Sequence, residues 1–75
     1  MAERLRLLGE PSAEALAACA DGALRVTDAA AFLGVSRSKI YELVRSGALC
    51  SARVGGRRVV LRASAQALLA RSIEP

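Results

Sequence analysis

A chain of 75 residues excludes a second domain and leaves only a modest core to bury. Hydrophobic residues make up 53% of it, which predicts a folded chain, but one Phe, one Tyr and no Trp indicate a thin core. The formal net charge of +4 is concentrated in residues 34–62, where seven basic groups face Glu42 alone, and this pattern favours a polyanionic partner over a merely solvated surface.

The N-terminal part is expected to contain one short helix and no targeting signal. Residues 1–10 form either a frayed end or a short helical arm, and their apolar run is too short for a signal peptide or a membrane span. Pro11 suits the first turn of a helix that runs through SAEALAACAD until Gly22 ends it. Cys19 and Cys50 stand in no C-x-x-C spacing, so we expect buried, reduced side chains and a soluble protein of the cytoplasm.

Two helices joined by a tight turn are predicted next. Residues 24–26 form a short extended link, and Thr27 is the expected N-cap of a helix, DAAAFL, that ends at Gly34. Gly34 either has a positive φ or permits a close approach of the two helices. Ser36 is the next N-cap, and the second helix ends at Gly47.

The second helix has an apolar side and a polar side. At 100° per residue, Ile40, Leu43 and Val44 fall on the apolar side and are expected to pack against Leu33 and Val35. The polar side suits groove recognition, because Arg forks to guanine, a hydroxyl bonds a base edge or a phosphate, and Tyr adds contact area. The candidate DNA-contacting residues of this helix are Ser36, Arg37, Ser38, Lys39, Tyr41, Glu42 and Arg45.

Some of these side chains also have a structural interpretation. Ser36 caps the helix whether or not DNA binds. Tyr41 either contacts the groove or simply lies on the protein surface. Glu42 is expected to pair with Arg45 or Ser38 rather than to read cytosine. Arg45 is the residue of this helix that we expect to contribute most to recognition.

The segment CSARVGGRRVVLR is predicted to be a β-hairpin. β-branched residues on both sides of Gly55-Gly56 indicate a two-residue turn, and a basic ribbon beside a recognition helix can follow the DNA backbone or enter the minor groove. Alternation leaves open whether Val59 or Val60 points inward. Ser64 is the expected cap of a last helix, AQALLARSI. The candidate wing residues are Arg53, Gly55, Gly56, Arg57 and Arg58.

This order of elements predicts a fold that is mainly α with a small β-hairpin, a winged helix-turn-helix. Residues 1–23 are expected to form an N-terminal extension with a short helix. Residues 24–75 are expected to form the DNA-binding domain.

The same residues resemble the excisionase-type, MerR-like winged helix-turn-helix family. The resemblance runs from about Leu24 to Ser72 and rests on VTDAAAFLGVSRSKIYELVRSGAL, RVGGRRVVLR and SAQALLA. It implies that the helix at 37–46 enters a major groove and the hairpin tip the adjoining minor groove. Members include excisionases, small transcription regulators and DNA-recognition domains of phage-packaging proteins. The residues that match the family's groove-facing and wing positions are Arg37, Ser38, Tyr41, Arg45, Arg57 and Arg58.

The chain departs from this family in two places. Effector-sensing MerR-like regulators continue into a long dimerising helix, whereas this sequence stops at Pro75, so we expect no inducer sensing. About 23 residues precede the winged domain, and they either pack on it or mediate self-association.

The leading interpretation is a sequence-specific, non-enzymatic DNA-binding protein, either an excisionase-like recombination directionality factor or a small transcription regulator. The expected partners are double-stranded DNA, further copies of the chain on DNA, and a recombinase or the transcription machinery, with no membrane, cofactor or metal. The sequence has no histidine and no nucleophile beside a base, which disfavours an enzyme. The alternatives are a protein-interaction module and a phage-packaging DNA-recognition subunit. Alanine and arginine usage suggests a bacterial or phage source, with the protein on the nucleoid.

Overall fold

Four helices and three strands make up residues 12–75, the part of the chain that the computed structural model describes. The helices are α1 (Ala13–Ala18), α2 (Val26–Leu33), α3 (Arg37–Arg45) and α4 (Arg62–Arg71). The strands are β1 (Ala23–Arg25), β2 (Ser51–Val54) and β3 (Arg57–Leu61). The predicted arm at residues 1–10 and the predicted helical position of Pro11 lie outside the described residues. Within the described part, none of the helices combines the length and the apolar character needed to cross a membrane.

The three strands form one antiparallel sheet in the order β1-β3-β2. The predicted hairpin of β2 and β3 is present. The prediction that residues 24–26 form only a link is wrong, because residues 23–25 form strand β1, which pairs with β3. Leu24 lies opposite Val60 in the pairing, and both side chains are buried. β1 therefore places an apolar side chain in the core, and its backbone forms hydrogen bonds with the N–H and C=O groups on one edge of β3. The fold is a winged helix-turn-helix with a small sheet, as the sequence predicts.

The core lies where the sheet meets α2, α3 and α4. Ile40 and Val60 are the largest fully buried side chains in the described residues, which confirms the prediction of a thin core. Val60 rather than Val59 points inward, on the same face of the sheet as its register partner Leu24. The buried core residues are Leu24, Val26, Ala29, Ala30, Ile40, Leu49, Val60 and Ala65.

The turn between α2 and α3 depends on the backbone conformation of Gly34. Its φ is +70°, in the left-handed region, and a Cβ built there would meet no atom within 4 Å. Glycine is therefore needed at position 34 for its positive φ, and not because the helices approach each other closely there. Val35 donates its N–H to the Ala30 carbonyl at 2.9 Å. The Val35 side chain, which the sequence predicts to pack against α3, is 36% accessible and does not belong to the buried core.

Two predicted N-caps are wrong because their helices begin directly at the end of a strand. α2 begins at Val26, with Arg25 in the N-cap position and no side-chain hydrogen bond there, so Thr27 lies inside the helix. α4 likewise follows β3 without a linking residue, and Ser64 lies in its first turn. The Ser64 hydroxyl accepts a 2.8 Å hydrogen bond from the Cys50 N–H, which connects α4 to the start of β2.

Helix α1 is shorter than predicted and contributes no buried residue. It ends at Ala18, and Leu16 on its surface is 59% exposed. Cys19, directly after this surface helix, is therefore exposed. Cys50 is exposed as well, because the preceding residue, Leu49, takes the inward position. The prediction of two buried cysteines is wrong, and both are free cysteines at the surface.

Candidate nucleic-acid interface

Helix α3 begins and is oriented as the sequence predicts. The Ser36 hydroxyl accepts a hydrogen bond from the Lys39 N–H at 3.1 Å, so Ser36 is the N-cap. Ile40 is fully buried, and Leu43 and Val44 are half-buried beside it. The opposite side of the helix consequently faces the surface. Its exposed side chains are Arg37, Ser38, Lys39, Glu42 and Arg45.

Glu42 forms an ion pair with Lys39, one turn earlier in α3. The Lys39 Nζ and Glu42 Oε2 atoms are 3.5 Å apart. The predicted pairing of Glu42 with Arg45 or Ser38 is therefore wrong, although Arg45 stands at the same three-residue spacing on the other side of Glu42. Both side chains are more than half exposed, so the pair adds little to stability.

Tyr41 lies at the boundary between the polar side of α3 and the core. Its side chain is half-buried and packs against core residues, although the helical wheel places it on the polar side. The guanidinium carbon of Arg58, from β3, lies 5.9 Å from the centroid of the ring, within the range of a cation–π contact. The ring therefore connects the core to the hairpin, a role that the sequence prediction does not include.

The wing is the hairpin of β2, β3 and the turn between them, residues 51–61. Gly55 and Gly56 both have positive φ, +58° and +81°, as a two-residue type I′ turn requires, so the predicted turn is confirmed. The Nη1 atom of Arg53 donates a 3.3 Å hydrogen bond to the Gly56 carbonyl. The Arg53 side chain thus folds over the turn of the wing.

The register of the strands decides which wing arginines face α3. Arg53 lies opposite Arg58, and Val54 lies opposite Arg57. Side chains directly opposite each other in antiparallel strands share a face of the sheet, and the faces alternate along a strand. Arg53 and Arg58 therefore share the face of the buried Val60, two residues along β3, and this is the face toward α3.

Two basic clefts adjoin the Tyr41–Arg58 contact, and both residues line both clefts. The α3–wing cleft has a volume of about 600 Å³ and is lined by Tyr41, Arg45, Arg53, Gly56 and Arg58. The α2–wing cleft has a volume of about 260 Å³ and is lined by Arg25, Val26, Thr27, Arg37, Tyr41, Arg57 and Arg58.

Most of the chain matches a known protein family. Residues 23–72 match the model of a family described as a helix-turn-helix domain. The chain belongs to the helix-turn-helix domain family. This is a DNA-binding family, and its members are typically not enzymes. Neither a curated protein nor a solved structure matches the chain significantly.

The helix-turn-helix domain contains every residue that lines the two clefts. The predicted site residues that it brings together there are Arg37, Tyr41, Arg45, Arg53, Gly56, Arg57 and Arg58. The predicted site residues that line neither cleft are Ser36, Ser38, Lys39, Glu42 and Gly55. The arginines of the predicted site are therefore gathered between elements, whereas its serines stay on the surface of α3 and at its cap.

The helix-turn-helix domain also places three unpredicted residues, Arg25, Val26 and Thr27, in the α2–wing cleft. The sequence prediction treats Arg25 as part of a link and Thr27 as a helix cap. A short apolar–polar–apolar alternation at Leu24, Arg25 and Val26 is the signal that could have identified β1. A strand at this position places Arg25 opposite Val59 of β3, which is part of the wing.

Both clefts of the helix-turn-helix domain are strongly basic. No acidic side chain lines either cleft, and the Lys39–Glu42 contact is the salt bridge found within residues 12–75. The arginines of the clefts are thus not neutralised by the described part of the chain. Guanidinium groups stay charged at any physiological pH and fork to planar anions. The chemistry of the clefts suits phosphate groups and guanine edges.

Proposed function

We propose that this helix-turn-helix domain binds DNA sequence-specifically, with α3 in a major groove and the wing in the adjoining minor groove. The α3–wing cleft carries the proposal, because Arg45 of α3 and Arg53 and Arg58 of the wing line one concave surface. A helix and a hairpin that meet at such a surface can contact two neighbouring grooves at once. A basic surface that only keeps a protein soluble does not require this convergence.

In this proposal the side chains of α3 divide into those that read bases and those that do not. Arg45 forks to O6 and N7 of guanine, the commonest specific contact in a major groove. Ser38 contacts a base edge or a phosphate, and the amide groups beside Ser36 favour a phosphate. Lys39 and Glu42 pair with each other and therefore contribute least to recognition.

The wing contacts the DNA backbone and the minor groove in this proposal. Arg53 and Arg58 lie on the face toward α3 and line the α3–wing cleft, whereas Arg57, on the alternate face of β3, lines only the α2–wing cleft. Arginine is favoured in a narrow minor groove because of the enhanced negative potential there. Gly55 and Gly56 carry no side chain, so the backbone of the tip can approach the DNA closely.

Two biological roles fit a small DNA-binding domain of this kind. An excisionase-like recombination directionality factor would bind adjacent sites cooperatively and bend the DNA, beside a recombinase. A smooth bend of about 40–90° costs on the order of 1–6 kcal/mol, which several bound copies would share. A small transcription regulator would act on a single site beside the transcription machinery. Either role, like a subunit for phage packaging, belongs in a bacterial cytoplasm on nucleoid or phage DNA.

We also propose that the residues before β1 form an extension to the DNA-binding domain. β1 begins at Ala23, one residue before the boundary predicted between residues 1–23 and 24–75. Helix α1 buries no residue, which supports a separate role for it, such as self-association on DNA.

Selection from random DNA tests the proposed function. The protein is mixed with a pool of random-sequence duplexes at several salt concentrations, and the bound fraction is sequenced. A specific reader enriches a motif, and its affinity falls steeply as the salt concentration rises. Adjacent copies of the motif would indicate the excisionase-like role, and a single copy the regulator.

Arg45→Ala and Arg71→Ala make a matched pair for this experiment. Both residues are exposed arginines in the last turn of a helix, but only Arg45 lines the α3–wing cleft. We expect Arg45→Ala to alter the motif and Arg71→Ala to leave it unchanged. Binding without a motif would leave only a non-specific architectural protein. No binding to DNA would contradict the proposal and favour a protein partner for the polar side of α3.

A further inference from the structure

The α2–wing cleft gathers positive charge from parts of the chain that are distant in sequence. Its four arginines come from the junction of β1 with α2, from the start of α3 and from β3. They are Arg25, Arg37, Arg57 and Arg58. Like charges held together repel one another, so an anion that enters the cleft lowers the electrostatic energy of the fold.

The size and the donors of this cleft fit a phosphate group. Its volume of about 260 Å³ leaves room for one phosphodiester group. Guanidinium groups form paired hydrogen bonds with phosphate oxygens. Thr27 lines the same cleft, and a threonine hydroxyl is a neutral donor of the kind that contacts DNA phosphates.

We propose that the α2–wing cleft binds one backbone phosphate of the DNA, and that Arg25 contacts this phosphate from outside both α3 and the wing. This inference rests on the proposed function and adds a third point of contact to it. Tyr41 and Arg58 line both clefts, so the two clefts are neighbours on one surface. A DNA backbone that lies along the α3–wing cleft reaches the second cleft without leaving the protein.

A contact at Arg25 would fix the orientation of the domain on DNA. Arg25 ends β1, which pairs with β3, and it directly precedes α2. Its backbone is therefore positioned by the sheet and not by the recognition helix. Phosphate contacts set position and carry no sequence information. Arg25 is accordingly expected to strengthen binding equally on all sequences and to leave the motif unchanged.

Salt titration of binding to a pool of random-sequence duplexes tests the role of Arg25. Loss of one phosphate contact lowers the slope of log affinity against log salt by about 0.9. Between about 50 and 200 mM salt, the unmodified protein should therefore lose about 3.5 times more affinity than Arg25→Gln. Arg71→Gln removes the same charge outside the cleft and should keep the full slope. Arg25→Lys keeps the positive charge and should also keep the slope.

Folding is checked separately, by thermal unfolding of each variant. Arg25→Met retains an unbranched apolar stem without the charge, and it replaces Arg25→Gln if that variant fails to fold. A full slope in a folded, charge-free Arg25 variant would overturn the inference while DNA binding by the unmodified protein stands. An equal reduction in Arg71→Gln would overturn it too, because the effect would then reflect net charge. Absence of DNA binding by the unmodified protein would instead refute the proposed function itself.

Discussion

The guanidinium carbon of Arg58 lies 5.9 Å from the centroid of the Tyr41 ring, and this contact joins the wing to α3. Tyr41 also packs against the core, so its ring connects Arg58 of the wing to the core. Cation–π contacts are favourable at such distances. The position of the wing relative to α3 therefore depends on this pair of side chains as well as on the backbone.

A double-mutant cycle measures the strength of this contact. We expect a coupling free energy of about 0.5–1 kcal/mol between Tyr41→Leu and Arg58→Gln, because the first removes the ring and the second the cation. Urea unfolding of the single and double variants gives this value. Tyr41→Phe keeps the ring and should preserve the coupling with Arg58. Additive effects of the two substitutions would show that the contact contributes nothing to stability, and would contradict its role in holding the wing against α3.

Arg45 and Arg58 are expected to affect DNA binding in different ways. Arg45→Ala should cost about 1–3 kcal/mol of binding free energy and relax the preference at one base position. Arg58→Ala should weaken binding to all sequences and lower the salt slope by about one unit. Competition binding with single-base variants of the selected motif separates these outcomes. A uniform loss for Arg45→Ala would mean that Arg45 only positions α3.

Local features of the sequence were sufficient to predict α3 and its surroundings. The Ser36 cap, the left-handed Gly34 and the spacing of Ile40 act within a few residues of one another. The turn of the wing is equally local, because Gly55 and Gly56 adopt the required backbone angles themselves. Features of this kind are encoded by neighbours in the chain, and sequence patterns reveal them.

Long-range pairing accounts for most of what the sequence did not reveal. β1 forms because Leu24 meets Val60, a partner far along the chain, and Ser64 is used by Cys50 rather than by its own helix. The contribution of Arg25 to the α2–wing cleft follows from the same pairing. The predicted two-residue turn already places Arg53 opposite Arg58, but the sequence leaves open which face of β3 points inward. The packing of Val60 in the core decides this, and with it which wing arginines face α3.

Substitutions of Ser36 and Thr27 distinguish the two ways in which the helices begin. Ser36→Ala should lower the free energy of unfolding by about 0.5–2 kcal/mol, because the Lys39 N–H loses its acceptor. Thr27→Ala should change it by less than about 0.5 kcal/mol, since no side chain caps α2. Urea unfolding measures both. If Thr27→Ala lowered the free energy of unfolding as much as Ser36→Ala does, Thr27 would be a capping residue, and the start of α2 at Val26 would be wrong.

Two of the apolar positions of α3, Ile40 and Leu43, should differ in their effect on stability. Ile40→Ala removes a fully buried side chain and should cost roughly 2–5 kcal/mol. Domains of this size are often stable by only about 3–5 kcal/mol, so we expect the variant to be largely unfolded. Leu43→Ala should cost less, because Leu43 is only half-buried. Thermal unfolding followed by circular dichroism tests this order, and a larger loss at Leu43 would mean that α3 is rotated about its axis.

The pairing of β1 with β3 closes a loop that contains about half of the chain. Ala23 lies opposite Leu61, and α2, α3 and β2 all lie between them. During synthesis on the ribosome, β1 therefore has no partner until the whole recognition region has been made. Removal of β1 would leave one edge of β3 unpaired, and open strand edges promote aggregation. A shortened version for biochemistry thus has to start no later than Ala23, even though the recognition helix begins much further along.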